Sequence, residues 1–275
     1  MQLASKFGRN STSVRSSSPL SDDQLMVVAP SIFAEEKHAS RSDRYTYIPT
    51  IDVLRGLRHE GFSPFMVCQT RTRDEAKRDH TKHMVRLRHA SQIDGAEANE
   101  IILLNSHDGT SSYQMLSGVF RFVCQNGMVC GNTLSDIRIR HKGNVIDNVI
   151  DGAFRVLEDF ELINEQKDGM KSLSLHPAEQ TAFARAALAL KYDTTLAPAP
   201  VTEHQVLRLK RVQDQSDDLW TTFNRVQENL VKGGLRGRSA TGQVSTTREV
   251  KGIDQSIKLN RALWVLAEEM RKLKA

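Results

Sequence analysis

The residues best placed to do chemistry are arginines that recur at every second position. Gln69, Arg71 and Arg73 alternate at the end of FSPFMVCQTRTR. Met84, Arg86 and Arg88 alternate with Val85 and Leu87 in HMVRLRH. Arg138, Arg140 and Lys142 alternate with Ile137 and Ile139. In a strand, residues two apart point to the same side, so each run would present its cations on one face. Three such strands sharing a sheet in matching register would gather them into one basic face able to follow a phosphate backbone. The spacing is equally consistent with solvated strand faces on which each arginine pairs with a nearby acid. Arg121 lies between Phe120 and Phe122, which alternation turns to the opposite, core side. Tyr45 and Tyr47 are further rings on which a base would stack where exposed. Arg236 and Arg238 stand in GGLRGRSATG, expected to be a mobile basic loop over 233–247 that a nucleic-acid backbone would order.

Other residue types offer less. Cys68, Cys124 and Cys130, with His107 or His141, are potential metal ligands. Zinc sites use short paired spacings such as C-x2-C, which Cys124-x5-Cys130 does not match, so buried thiols are the expectation. Ser106-His107-Asp108 has the residue types of a hydrolase triad, but neighbours in sequence rarely meet in triad geometry, and a turn is expected. Asp136, Asp147 and Asp151 would be a nuclease's carboxylates, but no motif supports a metal there. The chain lacks a Walker loop, a G-x-G-x-x-G after a strand and an H-E-x-x-H. No catalytic residue, metal site or cofactor is therefore expected.

The elements that must position the arginines read as follows. Residues 1–24 are Ser-rich and polar and are expected to be a disordered tail, followed by a single domain over 25–275. Strands are expected at Arg44–Ile48, Phe62–Arg73, His83–His89, Ile101–Asn105, Tyr113–Cys124 and Ile137–His141, with a hairpin turn at Asn126-Gly127. A short helix starts at Thr50 and stops before Gly61. From Asn144 the period changes: Val145, Ile146, Val149, Ile150, Ala153, Phe154 and Leu157 form a helical face. Further helices follow Pro177, begin near Thr202, bury Leu219, Phe223, Val226 and Leu230, and run from Gly252 to the end. A strand-rich 44–142 followed by a helical 144–275 is an α+β fold, an antiparallel, partly meandering sheet packed with helices from the second half.

Composition sets bounds. The 275 residues hold 39% hydrophobic and 26% charged side chains, those of a soluble globular protein. Lys and Arg number 38 against 33 Asp and Glu, a net charge of +5 that permits a polyanion partner without requiring one. No apolar run nears the roughly 20 residues of a membrane span. Three cysteines make no disulfide framework and suit the reducing cytoplasm.

The runs LLNSHDGTSSYQMLSGVFRFVCQNGMVCG and GGLRGRSATGQVSTTREVKGIDQSIKLNRALWVLAEE are similar to those of the domain-of-unknown-function 932 proteins of prophages and conjugative plasmids. The block Arg121, Cys124, Asn126 and Gly127 is the most specific part. The resemblance spans roughly Leu20 to Lys272 and implies a cytosolic protein of a bacterial mobile element, with no activity or catalytic residue to carry over. In architecture, a helix ending at Gly61, strands with alternating basic residues and then a long helix resemble the core of Rad52-like single-strand annealing proteins, which bind single-stranded DNA and form rings. This resemblance implies single-stranded DNA as partner and self-association as a homo-oligomer. The expectation is a non-enzymatic nucleic-acid-binding protein acting in strand annealing or recombination. Phosphates would meet Arg71, Arg73, Arg86, Arg88, Arg121, Arg138, Arg140, Lys142, Arg236 and Arg238. The alternative is a module that inhibits a host defence or recombination enzyme through Glu158, Asp159, Glu161 and the terminal helix.

Overall fold

A computed structural model describes residues 13–41, 47, 49–93, 95–131, 137–139, 145–195 and 197–274. It is α+β. The chain gathers into two compact units, the first formed by residues 1–122 and 133–160 and the second by residues 123–132 and 161–275.

The first unit is built on an antiparallel sheet of β1 (Ser13–Arg15), β2 (Phe62–Gln69), β3 (His83–His89), β4 (Glu97–Asn105) and β5 (Tyr113–Arg121), in that order. A later strand, Ile137–Ile139, also pairs with β5, placing Arg138 opposite Gln114. Hydrophobic and β-branched residues at alternate positions make these strands. Pro64 lacks an N–H for the ladder and sits where the β2–β3 register shifts, as a proline within a strand must. The stretch Tyr113–Arg121 is extended. Phe62–Arg73 stops being a strand at Gln69, and Arg71 and Arg73 lie in the connection that follows.

The sheet is strongly curled. The Arg15 guanidinium lies 4.7 Å from the centre of the Phe120 ring. In a flat sheet, β1 and β5 would be about 19 Å apart, four spacings of ~4.8 Å. Both faces of the middle strands are consequently buried. On the convex face, α2 (Thr50–His59) buries Ile51, Val53, Leu54 and Leu57. Alongside it lies the start of a long helix, Val145–Ser172, which we label α3; its residues to Phe160 belong to this unit. The Ile150 side chain is 3.2 Å from where a Cβ on Gly56 would stand. The concave face is closed by the curl itself.

Ordered structure begins before residue 25. β1 pairs with β2, and α1 (Asp22–Val28) starts at a capping box in which Ser21 and Gln24 satisfy each other's backbone N–H groups. The expected strand at Arg44–Ile48 falls almost wholly outside the described residues. The turn expected at Asn126-Gly127 lies one step earlier, at residues 122–125. Gln125 takes the left-handed conformation there, with φ 53°, and Asn126–Val129 forms β6. Ile137–Ile139 is then β7.

In the second unit the centre is α6 (Leu219–Lys232). All of its residues from Leu219 to Leu230 are buried, including the expected Leu219, Phe223, Val226 and Leu230. Around it stand α4 (Pro177–Lys191), the single turn α5 (Glu203–Val206) and α7 (Ile253–Lys274). Trp220 stacks on Phe223, and both meet Trp264 of α7 edge-on. On α4, Phe183, Ala187 and Leu188 are buried, whereas Leu190 is exposed. The stretch expected as a mobile loop is a hairpin of β8 (Arg236–Arg238) and β9 (Val244–Thr246). Among the described residues, no helix is long and apolar enough to cross a membrane.

Candidate nucleic-acid interface

The hairpin of the second unit forms one wall of a groove of about 650 Å3, whose other wall is the segment Pro198–Thr202 with Gln205. Gly237 permits this packing. Arg238 N–H donates to the Pro200 carbonyl at 2.9 Å, and a Cβ at Gly237 would stand 2.0 Å from that same oxygen. Gln205 Nε2 donates to the Arg236 carbonyl at 2.6 Å, fixing the strand from the other side. Gly233 ends α6 at φ 64°, a left-handed turn in which a side chain would strike Thr247 and Arg248 main chain at 2.7 Å. The hairpin is thus held by main-chain contacts, and its side chains remain exposed. Arg236 and Arg238 are two apart and lie on one face of β8. Both are exposed, and among the described residues no carboxylate pairs with either.

Among the described residues, the remaining sequence-predicted arginines do not form one basic sheet face. Arg71 and Arg73 are exposed, but they stand in the β2–β3 connection. Arg138 is exposed on β7. Arg140 and Lys142 lie outside the described residues. Arg121, at the end of β5 opposite Glu97, is buried. Arg86 and Arg88 belong to the concave interior, with 3% and 0% of their surface exposed. Both are bound to Glu100: Arg86 Nη1 donates to Oε2 at 2.8 Å, and Arg88 Nε and Nη2 donate to Oε1 at 3.0 and 2.9 Å. The two cations do share one face of β3, but the curl encloses that face. The rings behave likewise. Phe120 is buried, and the Arg88 guanidinium lies 4.4, 4.2 and 5.0 Å from the ring centres of Phe65, Phe120 and Phe122. Tyr45 lies outside the described residues, and Tyr47 donates its hydroxyl to the Ala34 carbonyl.

This interior holds a charge pattern that the sequence did not announce. Arg15 joins Arg86 and Arg88, so among the described residues three guanidiniums act on one carboxylate, that of Glu100. Burial works to raise the Glu100 carboxyl, and Arg86, Arg88 and Arg15 outweigh it, holding it below the usual carboxylate range. Burial draws the Arg15 guanidinium down to about 10; Glu100 opposes the shift, and Arg86 and Arg88 add to it, leaving Arg15 a cation at neutral pH. Burial also pushes the neighbouring Cys68 thiol up to about 12. Arg15 lies in the stretch read as a disordered tail, where nothing marks it. Glu100 had a signal: it shares a face with Ile102 and Leu104 once the strand is started at Glu97.

The convex side carries a second buried polar group. Ser31, Thr50, His83, Asn105, His107 and Tyr113 are all fully buried. Gln69 Nε2 donates to the Arg78 carbonyl, which leaves Gln69 Oε1 to accept the Ser31 hydroxyl at 2.8 Å. The Ser31 oxygen must then accept from His83 Nδ1, 2.8 Å away. Burial draws His83 down to about 4, so it is neutral and its Nε2 is an acceptor for the Thr50 hydroxyl at 2.9 Å. With its proton committed, Thr50 has two lone pairs, which accept from Asn105 Nδ2 at 3.0 Å and the Tyr113 hydroxyl at 3.1 Å; His107 Nε2 lies 3.3 Å from the same oxygen. The His83 tautomer protonated on Nδ1 thus fixes the direction of the bonds from Gln69 through Ser31 to Thr50. Of the expected Ser106-His107-Asp108 group, only His107 enters this network. The Ser106 hydroxyl donates to the Ser111 carbonyl, and Asp108 accepts from Thr110. Cys68, Cys124 and Cys130 form no disulfide.

Comparison with known proteins matches the chain to one family model, a domain of unknown function (DUF932), over residues 37–264. Two similar proteins of Escherichia coli strain K12 are the UPF0380 proteins YafZ and YfjQ. Each is 56% identical over 269 residues, covering 98% of this chain and 97% of the relative. No solved structure matches the chain. With the family model spanning both units and two relatives aligned over almost their full length, the chain belongs to the DUF932 family.

Proposed function

We propose that the protein binds single-stranded nucleic acid, DNA in the first instance, without catalysing a reaction on it, and that the β8–β9 hairpin with its groove is the contact surface. The observation that carries this reading is the exposed pair Arg236 and Arg238, on one face of a ribbon anchored by main-chain bonds. Cations held on a rigid ribbon over a groove bind a phosphate backbone with little side-chain ordering. A flexible single strand can lay one or two nucleotides into about 650 Å3, whereas a duplex is too wide to enter. The groove has no aromatic lining, so base stacking contributes little and binding is insensitive to sequence. The mobile-element setting implied by the first sequence resemblance supports single-stranded DNA, because conjugation and phage replication both expose it.

Fluorescence anisotropy of a labelled oligonucleotide, titrated at several salt concentrations, tests the proposal. Affinity should fall as salt rises. Arg236→Ala with Arg238→Ala should weaken binding and reduce the slope of log affinity against log salt by about 1.4, two contacts at ~0.7 each. Affinity that ignores salt, or an unchanged slope in the double variant, overturns it. In that event a protein partner becomes the better reading.

A further inference from the structure

We infer that the Arg15–Arg86–Arg88 cluster of the first unit is a binding site for a phosphoryl-type oxyanion, a site separate from the hairpin surface. Glu100 is committed to these cations: Oε1 takes two N–H groups of Arg88 and Oε2 takes one of Arg86. Beyond those bonds, Nη1 of Arg88 and Nη1 of Arg15 are buried with no hydrogen-bond acceptor among the described residues. Arg88 is a wholly buried side chain, so its N–H cannot turn to solvent. The rings of Phe65, Phe120 and Phe122 offset part of its charge through their π faces but present no lone pair. Arg15 and Arg88 both lie over the Phe120 ring, at 4.7 and 4.2 Å from its centre, so the two guanidinium carbons are within about 9 Å of each other.

The ionisable groups brought together here are Arg15 on β1, Cys68 on β2, Arg86 and Arg88 on β3, and Glu100 on β4. With the Cys68 thiol protonated, these described residues sum to two positive charges. Residues 1–12, which precede β1, hold Lys6 and Arg9 and no acid. Buried like charges that keep unused donors call for an acceptor bearing two negative charges and several oxygens. A phosphoryl group fits that description. Arg15 is only partly buried and belongs to β1, the first strand of the sheet order, which gives the group a route from solvent.

The test is calorimetric titration with inorganic phosphate, pyrophosphate and adenosine monophosphate, with sodium chloride at matched ionic strength and adenosine as controls. Saturable binding of a phosphoryl compound, absent for chloride and adenosine, is expected. Adenosine monophosphate binding as tightly as phosphate would identify a phosphoryl end of a larger ligand; phosphate alone binding would identify a free anion. Arg15→Gln should weaken the affinity at least tenfold, and Arg15→Lys, which keeps the charge, should retain most of it. Arg236→Ala with Arg238→Ala should leave it unchanged, which separates this site from the hairpin. No saturable binding beyond that of chloride, or equal affinity in folded Arg15→Gln, overturns the inference.

Discussion

The buried His83 should make the first unit acid-labile in a defined pH window. Its folded-state value of about 4 lies below the ordinary 6.5, because burial disfavours the imidazolium. Between these values the unfolded chain binds a proton that the folded chain refuses, so stability falls as pH falls from 6.5 towards 4. The shift corresponds to a total loss of about 3 kcal/mol below pH 4, of which about 2 kcal/mol is lost by pH 5. Protonation also removes the acceptor for Thr50 and reorders the Ser31–His83–Thr50 chain. Urea unfolding at pH 7, 6, 5 and 4 measures this. It should be followed by circular dichroism, because Trp220 and Trp264 both stand in the second unit and their fluorescence would report the wrong half. His83→Gln removes the titrating group, and its stability should be nearly level across the window relative to the parent protein. Glu100 has the same sign but acts lower, because its stabilisation is lost only as pH falls below the ordinary carboxylate value. The difference between parent and variant therefore isolates His83. A parent protein equally stable at pH 6.5 and 4.5, or a variant with the same slope, would refute the reasoning.

Three further outcomes follow from the geometry. Glu100→Gln strands Arg86 and Arg88 without their carboxylate and should cost about 3–5 kcal/mol in urea unfolding at pH 7; a loss under about 1 kcal/mol would show that the ion pairs contribute little. Gly237→Ala places a methyl group 2.0 Å from the Pro200 oxygen, so the hairpin must move away from the Pro198–Thr202 wall. The expected cost is about 1–3 kcal/mol, with faster amide exchange at Arg238, and unchanged exchange would mean that the strand adapts without detaching. With its thiol pushed up to about 12, Cys68 should resist thiol reagents at pH 8 until the protein unfolds; labelling of the native protein located to Cys68 by mass spectrometry would contradict that.

Much of the framework was legible because it depends on local pattern. The α6 stripe at Leu219, Phe223, Val226 and Leu230 follows from helical spacing, and His83–His89 follows from alternation. Pro177 marks the start of α4 because its missing N–H is one the first turn does not use. Where local pattern misled, a specific tertiary contact or turn geometry prevailed. Asn126-Gly127 is a strong hairpin signal, yet Gln125 accepts the left-handed conformation and the turn closes one step earlier. GGLRGRSATG lacks the apolar alternation of a strand, yet it folds as a hairpin because Pro200 and Gln205 supply hydrogen-bond partners from more than thirty residues away.

The functional residues were harder to place for a physical reason. Alternation at period two sorts side chains onto two faces but does not say which face meets water. In a sheet with one wet face, charged residues identify that face. A curled sheet buries both, and a charged residue on its inner face must then bring its own counter-charge. Arg86 and Arg88 find Glu100 one strand away, across a ladder that pairs Arg86 with Ile102 and Leu87 with Ile101. That partnership depends on strand register and is invisible to any window of sequence. Arg15 is the extreme case. A Ser-rich stretch with no periodicity contributes one arginine, and only the addition of β1 to the sheet edge carries it over Phe120. The same curl that takes Arg86 and Arg88 away from a nucleic-acid surface thus concentrates positive charge inside the first unit. The chain thereby separates two kinds of basic chemistry: exposed arginines on a ribbon, whose effect salt should screen, and enclosed arginines whose unmet charge salt reaches poorly.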